Sequence, residues 1–428
     1  MKYKFVKLSN GAQLAYVKNK VSKTTMVNLN FYSGARCDGE IPGLAHFVEH
    51  MFFTGTKTMN KDEITKKYFD FVRVNAHTSS NEICFSGNVF TKEFGDYLST
   101  VTTMITESKF DKDAVDKEIG VVQQEIARYA DKYGMRAKYF NDWNLYHTDV
   151  AKNYILGNKE SVGSIKSKDV KNFVKKYFVA NNLFACVSSP MPLGEVKRLV
   201  EKNLVSKLRV DNNFKQLPLF YGSIEDDKFF KAKFEDIKKN YVCINFVFDK
   251  NYLDIEYKEK IFVVLKMIND YSEGIMRDLR IKKSLVYSGG YSSRSNDKNT
   301  ILTFDTECDK ENVNEVIKTV SEYLNNLREK GFTQSQLDKT KRKIKYSEHE
   351  SEPRVSEDFY KLYDFKRYNR VLDDKKLKDI RRKVTLEEVN QIFRETFDES
   401  RVSASIYGNI TKDELMTQKE FKNLFNKK

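Results

Sequence analysis

Proline is scarce in this sequence: five residues of 428, alongside a single tryptophan. With no low-complexity tract and no long charged tail, so few prolines exclude a disordered linker protein. Cysteine is sparse too. Cys37, Cys84, Cys186, Cys243 and Cys308 are odd in number and no pair has CxxC spacing. That argues against a disulfide framework and for free, mostly buried thiols in a reducing compartment. No run of about 20 apolar residues occurs, so no transmembrane helix is expected. The opening Met1-Lys2-Tyr3-Lys4-Phe5-Val6 lacks the apolar stretch of a signal peptide. A cytoplasmic protein without membrane attachment is the expectation.

What is abundant is lysine. The chain carries 75 basic and 61 acidic residues, a formal charge of +14. The lysines are spread along the whole length, with no basic run and no nucleic-acid motif among them. They read as a solvated surface, and no nucleic-acid partner is expected. Such a field would modestly favour acidic or neutral substrates. The length exceeds one ordinary core and predicts at least two domains of about 200 residues each.

The order of patterns supports this. Residues 3 to 17 alternate around Asn10-Gly11, a hairpin signal. Thr25 to Tyr32 alternates as well. A helix follows Pro42-Gly43, another covers 61 to 72, and strands are expected at 74 to 79 and 83 to 89. Long helical patterns fill 91 to 107 and 111 to 132. Leu183 to Ser188 reads as a buried strand, followed by a helix at 193 to 204. The second half repeats the design: strands at 229 to 234 and 241 to 248, helices at 255 to 269 and 274 to 283, strands at 285 to 293 and 300 to 307, helices at 310 to 330 and 334 to 352. Val402 to Tyr407 and the helix after it resemble the end of the first half. Strand blocks and helix blocks, given twice, predict two α+β domains of similar design, 1–215 and 225–428, joined within the polar stretch 210 to 227.

The chemistry is concentrated in Leu44-Ala45-His46-Phe47-Val48-Glu49-His50-Met51. On a helix, His46 and His50 leave one face a turn apart, as two ligands of one tetrahedral zinc must. Glu49 shares that face and is placed to take a proton from a water on the metal. Two of only five histidines fall in this window, and the order HxxEH is the inverzincin signature. A catalytic zinc needs a third protein ligand and an open position. Glu118 and Glu125, seven apart on the helix 111 to 132, both qualify, and spacing alone does not choose between them.

These residues resemble the pitrilysin/insulinase family, which includes mitochondrial processing peptidase and insulin-degrading enzyme. The resemblance runs through Ser33-Gly34-Ala35-Arg36, Gly43-Leu44-Ala45, the HxxEH helix and Thr54-Gly55-Thr56. It implies a mostly antiparallel sheet packed against helices in each domain, half of a clamshell. It implies one Zn2+ per chain, held by His46, His50 and Glu125, with Glu49 as the general base and Glu118 as the supporting carboxylate. Asn75-Ala76-His77-Thr78-Ser79 is similar to the family's edge strand, which binds peptide substrate as an added β-strand. Arg280 and Tyr287 match a family pair that contacts the substrate carbonyl and steadies the oxyanion. Chains of this length supply only half of a closed chamber. A homodimer is therefore implied, each zinc site completed by Arg280 and Tyr287 of a second copy. Hydrolysis of unstructured peptides or presequences is the function so implied. A non-catalytic scaffold or partner subunit is the competing reading.

Overall fold

The computed structural model describes residues 2–71, 73–145, 155–216, 230–250, 254–295, 299–350, 355–398 and 400–425. The chain forms two compact units. The first comprises Met1–Asp131, Asn153–Leu219 and Pro353–Leu372; the second comprises Lys132–Lys152, Phe220–Glu352 and Asp373–Lys428.

In the first unit, β1 (Tyr3–Lys7), β2 (Gln13–Lys18), β3 (Thr24–Phe31), β4 (Val74–Thr78), β5 (Ile83–Phe90) and β6 (Leu183–Ser189) form one sheet in the order β1-β2-β6-β3-β5-β4. All neighbours are antiparallel except β2 and β6. The Asn10-Gly11 turn joins β1 to β2, with Gly11 at φ +82° and Leu8 N–H donating to Ala12 O at 2.7 Å. One face of the sheet packs on α1 (Leu44–Met51), α2 (Lys61–Phe69), α3 (Phe94–Glu107), α4 (Lys112–Ala130) and the helices Ser167–Tyr177 and Leu193–Asn203. Every residue of β6 is buried, because this strand is covered on both faces.

In the second unit, β7 (Phe230–Phe234), β8 (Asn240–Phe248), β9 (Val286–Ser295), β10 (Thr300–Cys308) and β11 (Arg401–Gly408) run in the order β7-β11-β8-β10-β9, with only β7 and β11 parallel. Helices Ile255–Ile268, Val313–Lys330, Gln334–Glu350 and Leu386–Asp398 supply its apolar layer. Both units are thus α+β, with mostly antiparallel sheets, as expected.

The chain is not divided by one cut. Much of the expected join, residues 217 to 227, lies outside the described residues. Two segments cross over, in departure from the boundaries 1–215 and 225–428. Helix α5 (Tyr133–Leu145) packs on β8 and β11 of the second sheet, and residues 355 to 368 cover the first. The cause lies in the second faces of the sheets, which carry apolar side chains and asparagines together and so need cover that both packs and hydrogen-bonds. On the first sheet, Tyr363 accepts from Asn28 Nδ2 at 2.7 Å and donates to Asn30 Oδ1 at 2.9 Å. On the second, Asn141 and Asn245 exchange two amide bonds at 3.2 and 2.8 Å. Helix α5 buries Ala137, Asn141, Asn144 and Leu145. That is helical spacing carried by asparagine, so hydrophobic periodicity does not reveal it. The helices Ser167–Tyr177, Asp374–Lys383 and Leu386–Asp398 are also additions to the sequence reading.

All five cysteines are free. Among the described residues, no helix is long and apolar enough to cross a membrane.

Candidate metal centre

Helix α1 begins abruptly. Gly43 sits at φ +91°, and a Cβ there would stand 2.6 Å from Leu156 O, so only glycine fits. Asp38 then fastens the first turn: Oδ2 accepts from Gly43 N–H and Oδ1 from Ala45 N–H, both at 2.7 Å. Its carboxyl is buried, and burial pushes its pKa up to about 7 against the pull of those two donors.

From this fixed start, α1 projects His46, Glu49 and His50 toward α4. The two imidazole centroids lie 4.7 Å apart. Glu125 Oε2 stands 3.3 Å from His50 Nε2 and 3.7 Å from His46 Nε2. One ligand atom from each of the three falls within 4.8 Å of the others. Two donors each about 2 Å from a tetrahedral zinc lie roughly 3.3 Å apart, so these residues fit the ion.

Glu118 takes a different place. Its Oε1 lies 3.0 Å from His50 Nδ1, and its Oε2 accepts from Lys61 Nζ at 2.9 Å. That bond occupies the rear nitrogen of His50 and leaves Nε2 facing Glu125. Geometry therefore separates the two glutamates that spacing could not. Lys61 was not anticipated, since only tertiary packing brings α2 to α4.

The electrostatics follow from these contacts. Burial, then the neighbouring His50, depress His46 to about 4, so it is neutral with a lone pair available. Burial also opposes charge on His50, but bonds to Glu118 and Glu125 outweigh it and raise His50 to about 9. The bond from His50 holds Glu125 below the usual carboxylate range. Burial favours the neutral acid at Glu118, and His50 and Lys61 reverse that. Glu49 is 9 % exposed. Burial raises its pKa, with Thr78 pulling it back.

Strand β4 lies beside α1 at the sheet edge. Asn88 N–H donates to Arg73 O at 2.7 Å and Ser79 N–H to Glu82 O at 2.8 Å. In antiparallel pairing the bonded positions alternate, so Asn75 and His77 spend their backbone groups on β5. Val74, Ala76 and Thr78 present theirs along the open edge. Asn75 O also accepts from Tyr68 and Ser86 hydroxyls at 2.9 and 3.0 Å. The side chains of Asn75 and His77 are exposed. Thr78 does more than line the edge: its hydroxyl donates to Glu49 Oε2 at 2.5 Å.

Arg280 and Tyr287 belong to the second unit. Arg280 lies on a π-helical turn, Arg277–Lys282, and Tyr287 on β9. The Arg280 guanidinium carbon is 4.5 Å from the Tyr287 ring centroid.

Comparison with known proteins finds one family along most of the chain. The family described as Insulinase (Peptidase family M16) matches residues 13–154, and the Peptidase M16 inactive domain matches residues 164–344. An uncharacterized zinc protease, YmxG, of Bacillus subtilis is 25% identical over 345 residues, covering 79% of this chain and 81% of that one. A probable mitochondrial-processing peptidase subunit beta of Arabidopsis thaliana is 26% identical over 209 residues, 48% of this chain and 39% of its own. In fold, the crystal structure of a peptidase M16 inactive domain from Pseudomonas fluorescens superposes with a TM-score of 0.83 at 14% identity, over 96% of this chain and 99% of that one. Pitrilysin gives 0.73 at 18% identity, over 99% of this chain but only 48% of its own.

Proposed function

This chain belongs to the M16, or insulinase, peptidase family, and from that premise we propose that it is a zinc-dependent endopeptidase acting on unstructured peptides or presequences. The observation that carries the reading is the convergence of His46, His50 and Glu125, with Glu49 on the same helix face. Zinc, when bound, supplies a Lewis acid that polarises the scissile carbonyl and makes water acidic enough to attack near neutral pH.

The chain's own residues do the rest. Thr78 holds Glu49 Oε2, which leaves Oε1 to take the proton of the attacking water and pass one to the leaving amine. Its raised pKa brings it nearer the working pH of a general base. Glu118 fixes His50 by its rear nitrogen, the usual support of a metal-binding imidazole. The open edge of β4 offers backbone donors and acceptors to an extended peptide, which selects conformation over sequence.

The remaining parts concern assembly. We place Arg280 and Tyr287 at the substrate carbonyl, contributed by a second copy in a homodimer that encloses the peptide. Five free thiols suit a reducing cytoplasm.

The test is zinc content and cleavage of a quenched fluorescent peptide library, wild type beside Glu49→Gln. Stoichiometric zinc in both, with turnover in wild type alone, is the expected result. Full activity in Glu49→Gln would sink this mechanism. Absence of zinc from both would favour the scaffold, which has no use for an open metal site.

A further inference from the structure

Arg280 touches a second aromatic ring that neither motif nor spacing singled out. Its guanidinium carbon lies 5.6 Å from the centroid of Tyr271, besides 4.5 Å from that of Tyr287. Both rings are largely exposed, Tyr271 at 52% and Tyr287 at 78%. Among the described residues, no carboxylate lies within ion-pair distance of Arg280. An arginine beside two rings, with no hydrogen bond or ion pair from its guanidinium among the described residues, can turn its donors to an acceptor on a substrate.

Tyr271 is not a loose surface residue. Asp270, one position before it, accepts from Ser272 N–H and Glu273 N–H, from the Ser272 hydroxyl, and from Lys339 and Lys343 of helix Gln334–Glu350. Gly274 closes the turn, donating to Asp270 O at 2.8 Å, where any Cβ would stand 2.1 Å from Ile268 O. The π-helical turn that follows presents Arg280 and is closed by Lys283 N–H to Asp278 O at 3.1 Å and Leu285 N–H to Leu279 O at 2.8 Å. Two rigid turns therefore bring one ring and one guanidinium together.

We propose that Tyr271 is a positioning residue: its ring gives the Arg280 guanidinium a second aromatic contact besides Tyr287 and holds its donors ready for the substrate carbonyl. This rests on the substrate-contact reading of Arg280. A flexible arginine left on one ring loses rotamer entropy each time it meets substrate, and a second ring removes part of that cost beforehand.

The experiment is a double-mutant cycle on the zinc-loaded full chain, measuring kcat and KM for one fluorogenic peptide. Tyr271→Phe keeps the ring and is expected to match wild type. Tyr271→Leu is expected to lower kcat/KM about three- to fivefold, the size of an exposed cation–π contact. Its melting temperature and zinc content should be unchanged. In an Arg280→Ala background the same leucine should have no further effect. Loss of the same size without Arg280, or no loss with it, overturns the proposal. Wild-type turnover in Arg280→Ala alone would instead remove Arg280 from the mechanism, and Tyr271 with it.

Discussion

A buried carboxylate stays ionised only where donors surround it, and Asp270 has five of them. Burial alone would favour its neutral form, but bonds from Lys343, Ser272 and Lys339 outweigh this and hold it well below the usual carboxylate range. The folded pKa is depressed, so the stabilisation is complete above the unfolded value near 4, begins to fall below it and is lost as pH drops through the lower folded value. Asp270→Asn should lower stability at pH 7 by about 2 kcal/mol. Urea unfolding should find the gap to wild type shrinking below about pH 4. At this scale the sequence speaks unevenly. His46, Glu49 and His50 are legible because one turn of helix relates them. The preference for Glu125 over Glu118 at the imidazoles, the lysine behind Glu118 and the hydroxyl on Glu49 depend on how α1, α2, α4 and β4 pack, and local spacing carries no record of that.

Among the elements, β4 is the one whose open edge lies beside the HxxEH helix. Its edge position leaves the N–H of Ala76 without a partner in β5, and proline is tolerated in an edge strand where that N–H faces outward. Ala76→Pro should therefore keep zinc and fold. It should cost about tenfold in affinity for an extended peptide, the worth of one backbone hydrogen bond. Peptide anisotropy in the Glu49→Gln background measures this, and unchanged affinity would mean that peptides do not add to this edge. The strands and most of the helices were legible from their periods, down to the resemblance of Val402 to Tyr407 to Leu183 to Ser188, though the amphipathic helices Ser167–Tyr177 and Leu386–Asp398 were not. Helix α5 was not, since half of the residues it buries are asparagines bonded to polar groups of the sheet. The asparagines in β3 and β8 mark where each sheet needs cover on its second side, a signal available only once the strands are paired.

For the whole molecule, a homodimer with shared sites makes a sharp prediction. Glu49→Gln and an Arg280→Ala/Tyr287→Phe double variant should each be inactive alone. Mixed and allowed to exchange, they should regain a substantial fraction of activity, because one mixed site unites an intact base with an intact Arg/Tyr pair. No recovery after proven exchange would rule out sites shared between copies. The crossover of segments has a consequence of another kind, in the timing of synthesis. Glu82 ends the hairpin that carries the β4 edge, and its lysine, Lys366, arrives 284 residues later. A ribosome releases the zinc-binding residues early but cannot deliver the cover of the first sheet until nearly the whole polypeptide has emerged. The first unit, though it begins with the chain, therefore cannot close until its last segment, ending at Leu372, has been made, and a nascent chain halted near residue 350 would carry its HxxEH helix over a sheet still open on one side.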